Sequence, residues 1–195
     1  MTSTRKPAEL NIIVATDKKH GYGKNGEIPW KLEHEFGYFL KMIENKAIIL
    51  GKNCWVNDLK CTPFETTFTA IVSTSLPTES NDKFSVSKSM NEAIISCQER
   101  GFDHIFIGGG RSIYEASLHD SRLKKVYITQ VDGDFDCDAI FPWDTLVEGG
   151  FEMIGEAGRA GNLVFSDFSG KNPHMDSNCG VGYSFTCYMR NSVDL

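Results

Sequence analysis

One acidic side chain among apolar neighbours is the most suggestive chemical feature of the sequence. Around it, Phe36, Phe39, Leu40 and Ile43 repeat at the i, i+3, i+4, i+7 spacing of an amphipathic helix. Glu35 lies at the edge of this apolar stripe. Most helix glutamates are simply solvated, but a carboxylate taken out of water needs a compensating partner or a proton. From position alone, Glu35 is either one more solvated helix acid or a functional carboxyl group.

The elements before Glu35 form a strand, a loop and a sharp corner. Residues 11–15 (NIIVA) are a short β-branched run typical of a buried strand. A loop rich in Gly, Asn and Lys follows, and Pro29-Trp30 then introduces the helix. This order predicts a mobile loop and a helix that both begin at one end of a strand.

Two further strand ends carry glycines suited to phosphate binding. Residues 46–50 (KAIIL) predict a strand that runs into Gly51 and Lys52 at the start of a second helix, opened by Lys52-Asn53-Cys54-Trp55. Free backbone N–H groups, a glycine and a lysine can hold a phosphate, although such residues also begin helices for purely geometric reasons. Residues 104–107 run into Gly108-Gly109-Gly110, which predicts either a plain turn or a ligand pressed against the main chain.

Composition excludes several classes of function. The chain has 195 residues, which favours a single domain over residues 1–195. A net charge of −6 argues against nucleic-acid binding. The sequence predicts neither a membrane span nor a signal peptide. The six cysteines show no metal-ligand spacing, so we expect free thiols, no metal site and a reducing, cytoplasmic location.

The remaining chain alternates strands with helices. Strands are predicted over residues 68–73, 83–86, 104–107 and 125–131, and Ser89 with Glu92 forms a capping box for a helix. Residues 57–66 and 134–142 are expected to be loops. Closing strands are predicted over residues 151–154 and 182–189, with an exposed loop over residues 171–180. This pattern predicts an α/β fold: a mostly parallel central sheet with helices on both faces and an antiparallel C-terminal edge.

Taken together, these motifs resemble the dihydrofolate reductase family. The segment Ile28-Pro29-Trp30, followed by Glu35 and Phe39, is similar to the family's active-site stretch, and the resemblance extends over nearly the whole chain. It implies NADPH-dependent reduction of 7,8-dihydrofolate to tetrahydrofolate by a monomer. Glu35 would bind the pterin 2-amino and N3 groups with a raised pKa, and Trp30 would order the water that brings the proton. The residues implied in substrate binding are Ile13, Val14, Ala15, Ile28, Glu35, Phe36, Phe39, Thr67, Ile107 and Thr129.

The same resemblance assigns a cofactor site. The implied NADPH-binding residues are Ala15, Tyr22, Gly26, Gly51, Lys52, Asn53, Cys54, Ser73, Thr74, Lys88, Gly108, Gly109, Gly110, Arg111, Ser112, Ile113 and Tyr114. Lys52 and Lys88 would converge on one edge of the pocket and favour NADPH over NADH. Counted back from Tyr114, the family's cis Gly-Gly pair is Gly109-Gly110 and Gly108 faces the pterin; counted forward from the strand, Ile107 takes that place.

Three departures bear on substrate choice. Tyr22 replaces a smaller aliphatic residue, Cys54 replaces a threonine, and Thr67 stands where the family has an arginine for the glutamate tail of the substrate. We therefore expect weakened tail recognition, with Lys60 or Lys41 as the remaining cations near that end. The alternatives are reduction of a related pterin or pyrimidine, and a reductase-like protein with little or no turnover.

Overall fold

The computed structural model describes residues 6–156, 174–175 and 180–191 of the chain. The strands are β1 (Glu9–Thr16), β2 (Gly21–Gly23), β3 (Ala47–Gly51), β4 (Phe68–Val72), β5 (Glu79–Ser80), β6 (Phe84–Ser87), β7 (His104–Gly109), β8 (Leu123–Val131), β9 (Ala139–Ile140), β10 (Phe151–Glu156), β11 (His174–Met175) and β12 (Gly182–Arg190). The α-helices are α1 (Glu33–Ile43), α2 (Met90–Glu99), α3 (Arg111–Leu118) and α4 (Trp143–Glu148), and Cys54–Asp58 forms a π-helical turn.

One large twisted sheet organises these elements. Its strand order is β10-β12-β8-β1-β7-β3-β4-β6-β5, with β11 added to β12. The centre is parallel: β1 pairs with both β7 and β8, and β3 pairs with both β7 and β4. The edge made by β12 and β10 is antiparallel. The predicted fold class is confirmed.

Helices cover both faces of the sheet. On one face α1 buries Tyr38, Met42 and Ile43 against alternate residues of the central strands. On the other face α2 and α3 bury a second apolar layer that includes Ile94 and Tyr114. Because central strands of a parallel sheet are buried on both sides, they read in the sequence as unbroken apolar runs.

Several elements differ from the sequence-based expectations. The second helix is largely a π-helical turn, which extends to Asp58 and so shortens the loop predicted over residues 57–66. The predicted loop over residues 134–142 contains β9, which pairs with β2 to form a small second sheet. Of the loop expected over residues 171–180, residues 174–175 form a strand that pairs with β12, and the rest, apart from Gly180, lies outside the described residues. The closing strands are slightly longer than predicted.

The cysteines and the other possible metal ligands are dispersed over the described part of the fold. Cys54, Cys61, Cys97, Cys137 and Cys187 are free thiols, as expected, whereas Cys179 lies outside the described residues. Within the described ranges no group of three or more His, Cys, Asp or Glu side chains is placed to hold a metal ion. In the same part of the chain no helix is both long and apolar enough to span a membrane.

Candidate active site

A cavity of about 960 Å³ lies at the carboxyl ends of the parallel strands. Residues from the ends of β1, β3 and β7 line it, including Ala15, Gly51 and Gly108. Its position matches the general rule that open α/β sheets bind ligands beyond the carboxyl ends of their strands. Its volume is at the upper end of the range for small-molecule sites. The cavity runs from α1 at one end to the start of α3 at the other.

Glu35 lies in this cavity, next to one hydroxyl group. Oγ1 of Thr129, on β8, donates a hydrogen bond of 2.9 Å to Oε1 of Glu35. Burial raises the pKa of Glu35 from its ordinary value of 4.5 to about 7, and the Thr129 hydrogen bond opposes that shift only in part. A carboxyl group with this pKa is populated in both protonation states near neutral pH, which suits a group that accepts or passes on a proton.

Apolar and aromatic side chains surround Glu35. Phe39 and Phe64 are half-buried, with ring centroids 5.7 Å apart, and both line the cavity. Ile28 and Phe36 lie on the wall with about half of their surface exposed, 54% and 51%. Such large exposed apolar groups in a cavity wall indicate a surface that a ligand covers.

Trp30 forms the buried back of this region. It is buried and packs edge-to-face on Phe135 with a centroid distance of 5.1 Å. It also lines the cavity. The Pro29-Trp30 corner is thereby fixed to the loop that follows β8, so that α1 begins at a set position beside the sheet.

The structure places Thr67 differently from the sequence-based expectation. Thr67 is buried at the start of β4, and its hydroxyl donates to the Ile43 carbonyl oxygen at 2.9 Å. It is absent from the described lining of the cavity, so its predicted contact with the substrate stays a prediction. A short side chain at this position bonds to the end of α1 and does not extend toward the ligand.

Carboxylates engage both candidate tail-binding lysines. Lys41 Nζ lies 3.0 Å from Glu44 Oε2, and Lys60 Nζ lies 3.9 Å from Glu27 Oε1. Glu27 and Asp58 themselves line the cavity. Among its described lining residues the basic ones are Lys52 and Arg111, both toward the α3 end. The described wall of the cavity around Phe36 and Phe39 thus offers no basic side chain.

The glycine turn at the end of β7 forms the floor of the other end. The peptide bond between Gly109 and Gly110 is cis, which matches the register counted back from Tyr114. Gly108 lines the cavity, whereas Ile107 is fully buried in the apolar core and is absent from the described lining. Gly109 has a φ of +116°, a conformation that favours glycine.

Gly51, at the end of β3, approaches this turn closely. A β-carbon built on Gly51 would lie 3.3 Å from the backbone nitrogen of Gly110. Lys52 follows, and its Nζ donates to Oγ of Ser75 at 2.9 Å. The closely spaced backbone at the ends of β3 and β7, together with the adjacent basic side chain, can accommodate a phosphorylated ligand.

Lys88 lies on the far side of the loop that contains Ser75. Its ammonium group donates to the carbonyl oxygens of Thr74, at 3.5 Å, and of Leu76. Lys88 is absent from the described lining of the cavity. Lys52 and Lys88 therefore converge on the same loop, one from the cavity and the other from outside it.

Cys54 and Asp58 form a polar pair on the π-helical turn. The thiol of Cys54 hydrogen-bonds to the Asp58 carboxyl group, and burial raises the pKa of the thiol to about 12. Both residues line the cavity. A neutral, hydrogen-bonded thiol at this place acts as a weak polar contact and not as a nucleophile.

Most of the residues implied by the sequence surround the cavity. Thr129 is not in the described wall, but its hydroxyl donates a hydrogen bond to Glu35, which is. The other implied residues absent from the described wall are Thr67, Ile107, Lys88 and Gly109. Further lining residues were not anticipated from the sequence: Gly23, Glu27, Leu50, Asn57, Asp58, Leu59, Phe64, Val72, Ser75, Glu115, Asp138 and Ala139. The π-helical turn contributes several of them, and a helical periodicity argument cannot predict such a turn.

The fold and the site together define an α/β protein with a nucleotide-type cradle at one end of a cavity and a buried carboxyl group at the other. The sequence pattern of the family described as dihydrofolate reductase matches residues 9–160. The chain belongs to the dihydrofolate reductase family.

Individual relatives and a solved structure agree with this assignment. The chain is 26% identical over 196 residues to dihydrofolate reductase of Bos taurus, covering 94% of this chain and 98% of that protein. It is 30% identical over 145 residues to viral dihydrofolate reductase of Saimiriine herpesvirus 2, covering 68% of each. The structure of dihydrofolate reductase from Enterococcus faecalis, complexed with NADP(H) and RAB-propyl, has a similar fold, with a TM-score of 0.73 at 20% identity over 94% of this chain and 96% of that one.

Proposed function

We propose that this protein reduces 7,8-dihydrofolate to tetrahydrofolate with NADPH. The observation that carries the proposal is the pair formed by Glu35 and Thr129, 2.9 Å apart, in a cavity that continues to the glycine turn at Gly108. A carboxyl group that accepts hydrogen bonds from an amino-substituted heterocycle and a cradle for a dinucleotide are both needed for this reaction. Membership of the family supplies the substrate and the cofactor.

The residues of the cradle fit NADPH. Gly51 and the glycine turn leave the main chain open to close approach, and Lys52 with the loop at residues 73–75 offers a cation and hydroxyl groups. The cofactor, when bound, supplies a hydride. Lys52 lies in the cavity beside this loop, which supports a preference for the additional phosphate of NADPH over NADH.

The part played by Glu35 follows from its pKa. Near neutral pH the carboxyl group is half protonated, so it can hold the amino and ring N–H groups of a pterin and favour delivery of a proton from water. Trp30 and the apolar wall restrict the access of water to this carboxyl group. General acid-base assistance of this kind is worth about 10²- to 10⁴-fold in rate.

Recognition of the glutamate tail is proposed to be weak. Thr67 bonds to the Ile43 carbonyl, and the described cavity wall around Phe36 and Phe39 offers no basic side chain. An anionic tail gains no charge-assisted hydrogen bond from a threonine hydroxyl that is already engaged. A dihydropterin without a glutamate tail does not need that hydrogen bond, so its affinity would not suffer from the missing cation. Reduction of another pterin is therefore the second candidate.

Three further properties complete the proposal. We propose that residues 1–195 act as a single domain, that the protein is a monomer without nucleic-acid or membrane partners, and that it works in the cytoplasm. None of these is needed for the chemistry, and sedimentation of the purified protein would reveal a larger assembly.

The deciding experiment measures NADPH oxidation with and without dihydrofolate. Oxidation that requires dihydrofolate and yields tetrahydrofolate supports the proposed reaction. Oxidation with a tail-free dihydropterin but not with dihydrofolate favours the second candidate. Ligand binding without turnover of either would contradict the enzymatic assignment and leave a reductase-like binding protein.

A further inference from the structure

A second hydrogen bond joins the first turn of α1 to the sheet, next to the one made by Glu35. Nδ1 of His34 lies 2.7 Å from the phenolic oxygen of Tyr183 on β12, a residue 149 positions away in sequence. His34 is exposed, whereas Tyr183 is buried. The bond therefore connects an exposed side chain of α1 with a buried residue of the antiparallel edge.

The sheet-side partners of these two bonds lie on adjacent strands. β12 runs antiparallel to β8, and in their register Tyr183 stands opposite Val131. Phe185, two residues further along, stands opposite Thr129. Opposite residues, and residues two apart along a strand, have their side chains on the same face of a sheet. Thr129 and Tyr183 consequently face α1 together, from strands about 4.8 Å apart.

The first turn of α1 lacks the usual stabilisation of a helix start. Its N-cap residue is Leu32, whose side chain makes no cap hydrogen bond. A polar N-cap side chain normally satisfies one of the free N–H groups of the first turn. Here the consecutive residues His34 and Glu35 bond to two different strands. Together these bonds define how the turn is rotated about the helix axis.

Aromatic packing holds the Tyr183 ring in place. Its centroid lies 5.7 Å from that of Phe185, in an edge-to-face contact with an interplanar angle of 73°. The ring of Phe185 in turn lies 4.1 Å from the ring of Tyr38 on α1. All three side chains are buried. The phenolic oxygen is thus a fixed point to which the exposed imidazole of His34 attaches.

We propose that His34 and Tyr183 are positioning residues, which hold the first turn of α1 in the rotation that lets Glu35 meet both Thr129 and the substrate. The inference rests on the proposed function, because it needs a substrate for Glu35 to bind. Neither His34 nor Tyr183 belongs to the described lining of the cavity. Their effect on the reaction therefore passes through Glu35.

Three substitutions test the bond. Tyr183→Phe keeps the buried ring and removes only the phenolic oxygen, and His34→Ala removes the imidazole. His34→Asn keeps a polar atom as many bonds from Cα as Nδ1 is, and an amide offers both a donor and an acceptor. It should therefore retain the function of His34. Tyr188→Phe, on the same strand but packed against Trp143, is the matched control.

Two readouts are followed in each protein. One is kcat with NADPH and dihydrofolate, and the other is the dissociation constant of a tail-free 2,4-diaminopyrimidine, which a carboxylate holds through paired hydrogen bonds. Tyr183→Phe and His34→Ala should each lower kcat and weaken the diaminopyrimidine about threefold to tenfold, the value of one hydrogen bond. NADPH affinity should stay as in wild type, because the cofactor cradle lies at the other end of the cavity. His34→Asn and Tyr188→Phe should resemble wild type in every measurement.

The decisive measurement repeats His34→Ala in a Glu35→Gln background. If His34 acts through Glu35, the two changes are not additive. His34→Ala should then leave the residual turnover and the diaminopyrimidine affinity of Glu35→Gln unchanged. A fall by the same factor in both backgrounds would overturn the inference, since it would show a general structural effect. A loss of NADPH affinity in parallel with kcat would overturn it for the same reason.

The proposed function and the inference fail separately. If the wild-type protein binds the diaminopyrimidine but does not reduce dihydrofolate, the proposed function fails, and the diaminopyrimidine affinities of the variants still decide the inference. If dihydrofolate is reduced but Tyr183→Phe equals wild type in both readouts, the inference alone fails.

Discussion

Thr129 and Glu35 come from elements 94 residues apart in sequence and meet through a 2.9 Å hydrogen bond from Oγ1 to Oε1. β8 positions the hydroxyl because it pairs in parallel with β1, while α1 brings the carboxyl group from the face of the sheet. The bond stabilises the ionised form of a carboxyl group whose burial favours the protonated form. The two effects together hold the pKa near neutrality.

Thr129→Val should therefore raise the pKa of Glu35 further, because it removes the donor that stabilises the charged form. We expect the high-pH limb of the turnover profile to move to higher pH and kcat/KM for dihydrofolate to fall about fivefold to tenfold, for a bond worth about 1 kcal/mol. The pH dependence of turnover is the measurement. Thr129→Ser keeps the hydroxyl and should resemble wild type; a profile that is unchanged in Thr129→Val would show that the bond does not control the carboxyl group.

Glu35→Gln should lower turnover by about 10²- to 10⁴-fold, because an amide cannot exchange a proton. Binding of NADPH, measured by fluorescence quenching, should change by less than about twofold, since Glu35 is at the other end of the cavity. Glu33→Gln removes an acid from the same first turn of α1 and serves as the control. Wild-type turnover should itself decline as the pH rises through about 7, where Glu35 loses its proton.

The stability of Glu35→Gln provides a separate pH test. The folded pKa of about 7 exceeds the ordinary value of 4.5, so between these values the folded protein binds more protons than the unfolded chain. Stability is then lost as the pH rises through this window. Glu35→Gln should be more stable than wild type above pH 7 by about 1 to 3 kcal/mol, and this gain should vanish near pH 4. Urea unfolding at several pH values measures it, and a gain of the same size at every pH would rule out titration of Glu35 as the cause.

The part of the site that could be predicted from the sequence is the part encoded locally. Glu35 stands out because its helix is regular, and the glycine turn stands out because three glycines end a strand. The direction of Thr67 could not be predicted, since it depends on how the start of β4 meets the end of α1. Asn57 and Asp58 were missed because a π-helical turn breaks the helical period. The β2-β9 pairing joins two very short segments far apart in sequence, for which no periodic signal exists.

Cofactor choice is tested at Lys88. Its ammonium group holds the loop that contains Thr74 and Leu76 from outside the cavity. Lys88→Ala should weaken NADPH about fivefold, a loss of about 1 kcal/mol expected for an exposed charge, and should change NADH by less than about twofold. Lys83→Ala removes another exposed lysine, one residue before β6, as a control. Equal weakening of NADPH and NADH would mean that Lys88 only supports the loop.

Tail recognition is tested by restoring a cation to the α1 end of the cavity. Thr67→Arg is the direct substitution, and it should tighten glutamate-bearing ligands about tenfold, or 1.4 kcal/mol. It also removes the buried hydrogen bond from Thr67 to Ile43 and places a long side chain at a position with 4% exposure. The variant should therefore be less stable than wild type, and thermal unfolding is measured together with affinity to separate the two effects.

Leu40→Lys avoids that cost. Leu40 is 38% exposed and lies one helical turn beyond Phe36, on the same side of α1. A lysine there should tighten dihydrofolate and glutamate-bearing antifolates about threefold, as for one exposed ion pair, and this gain should shrink at high salt. Diaminopyrimidines without a tail should bind unchanged. Ile95→Lys, at a 54% exposed position on α2, adds the same charge on the far side of the sheet from α1. If both ligand classes respond alike to Leu40→Lys, or if Ile95→Lys gives the same gain, the effect is one of net charge and the tail does not reach this end of the cavity.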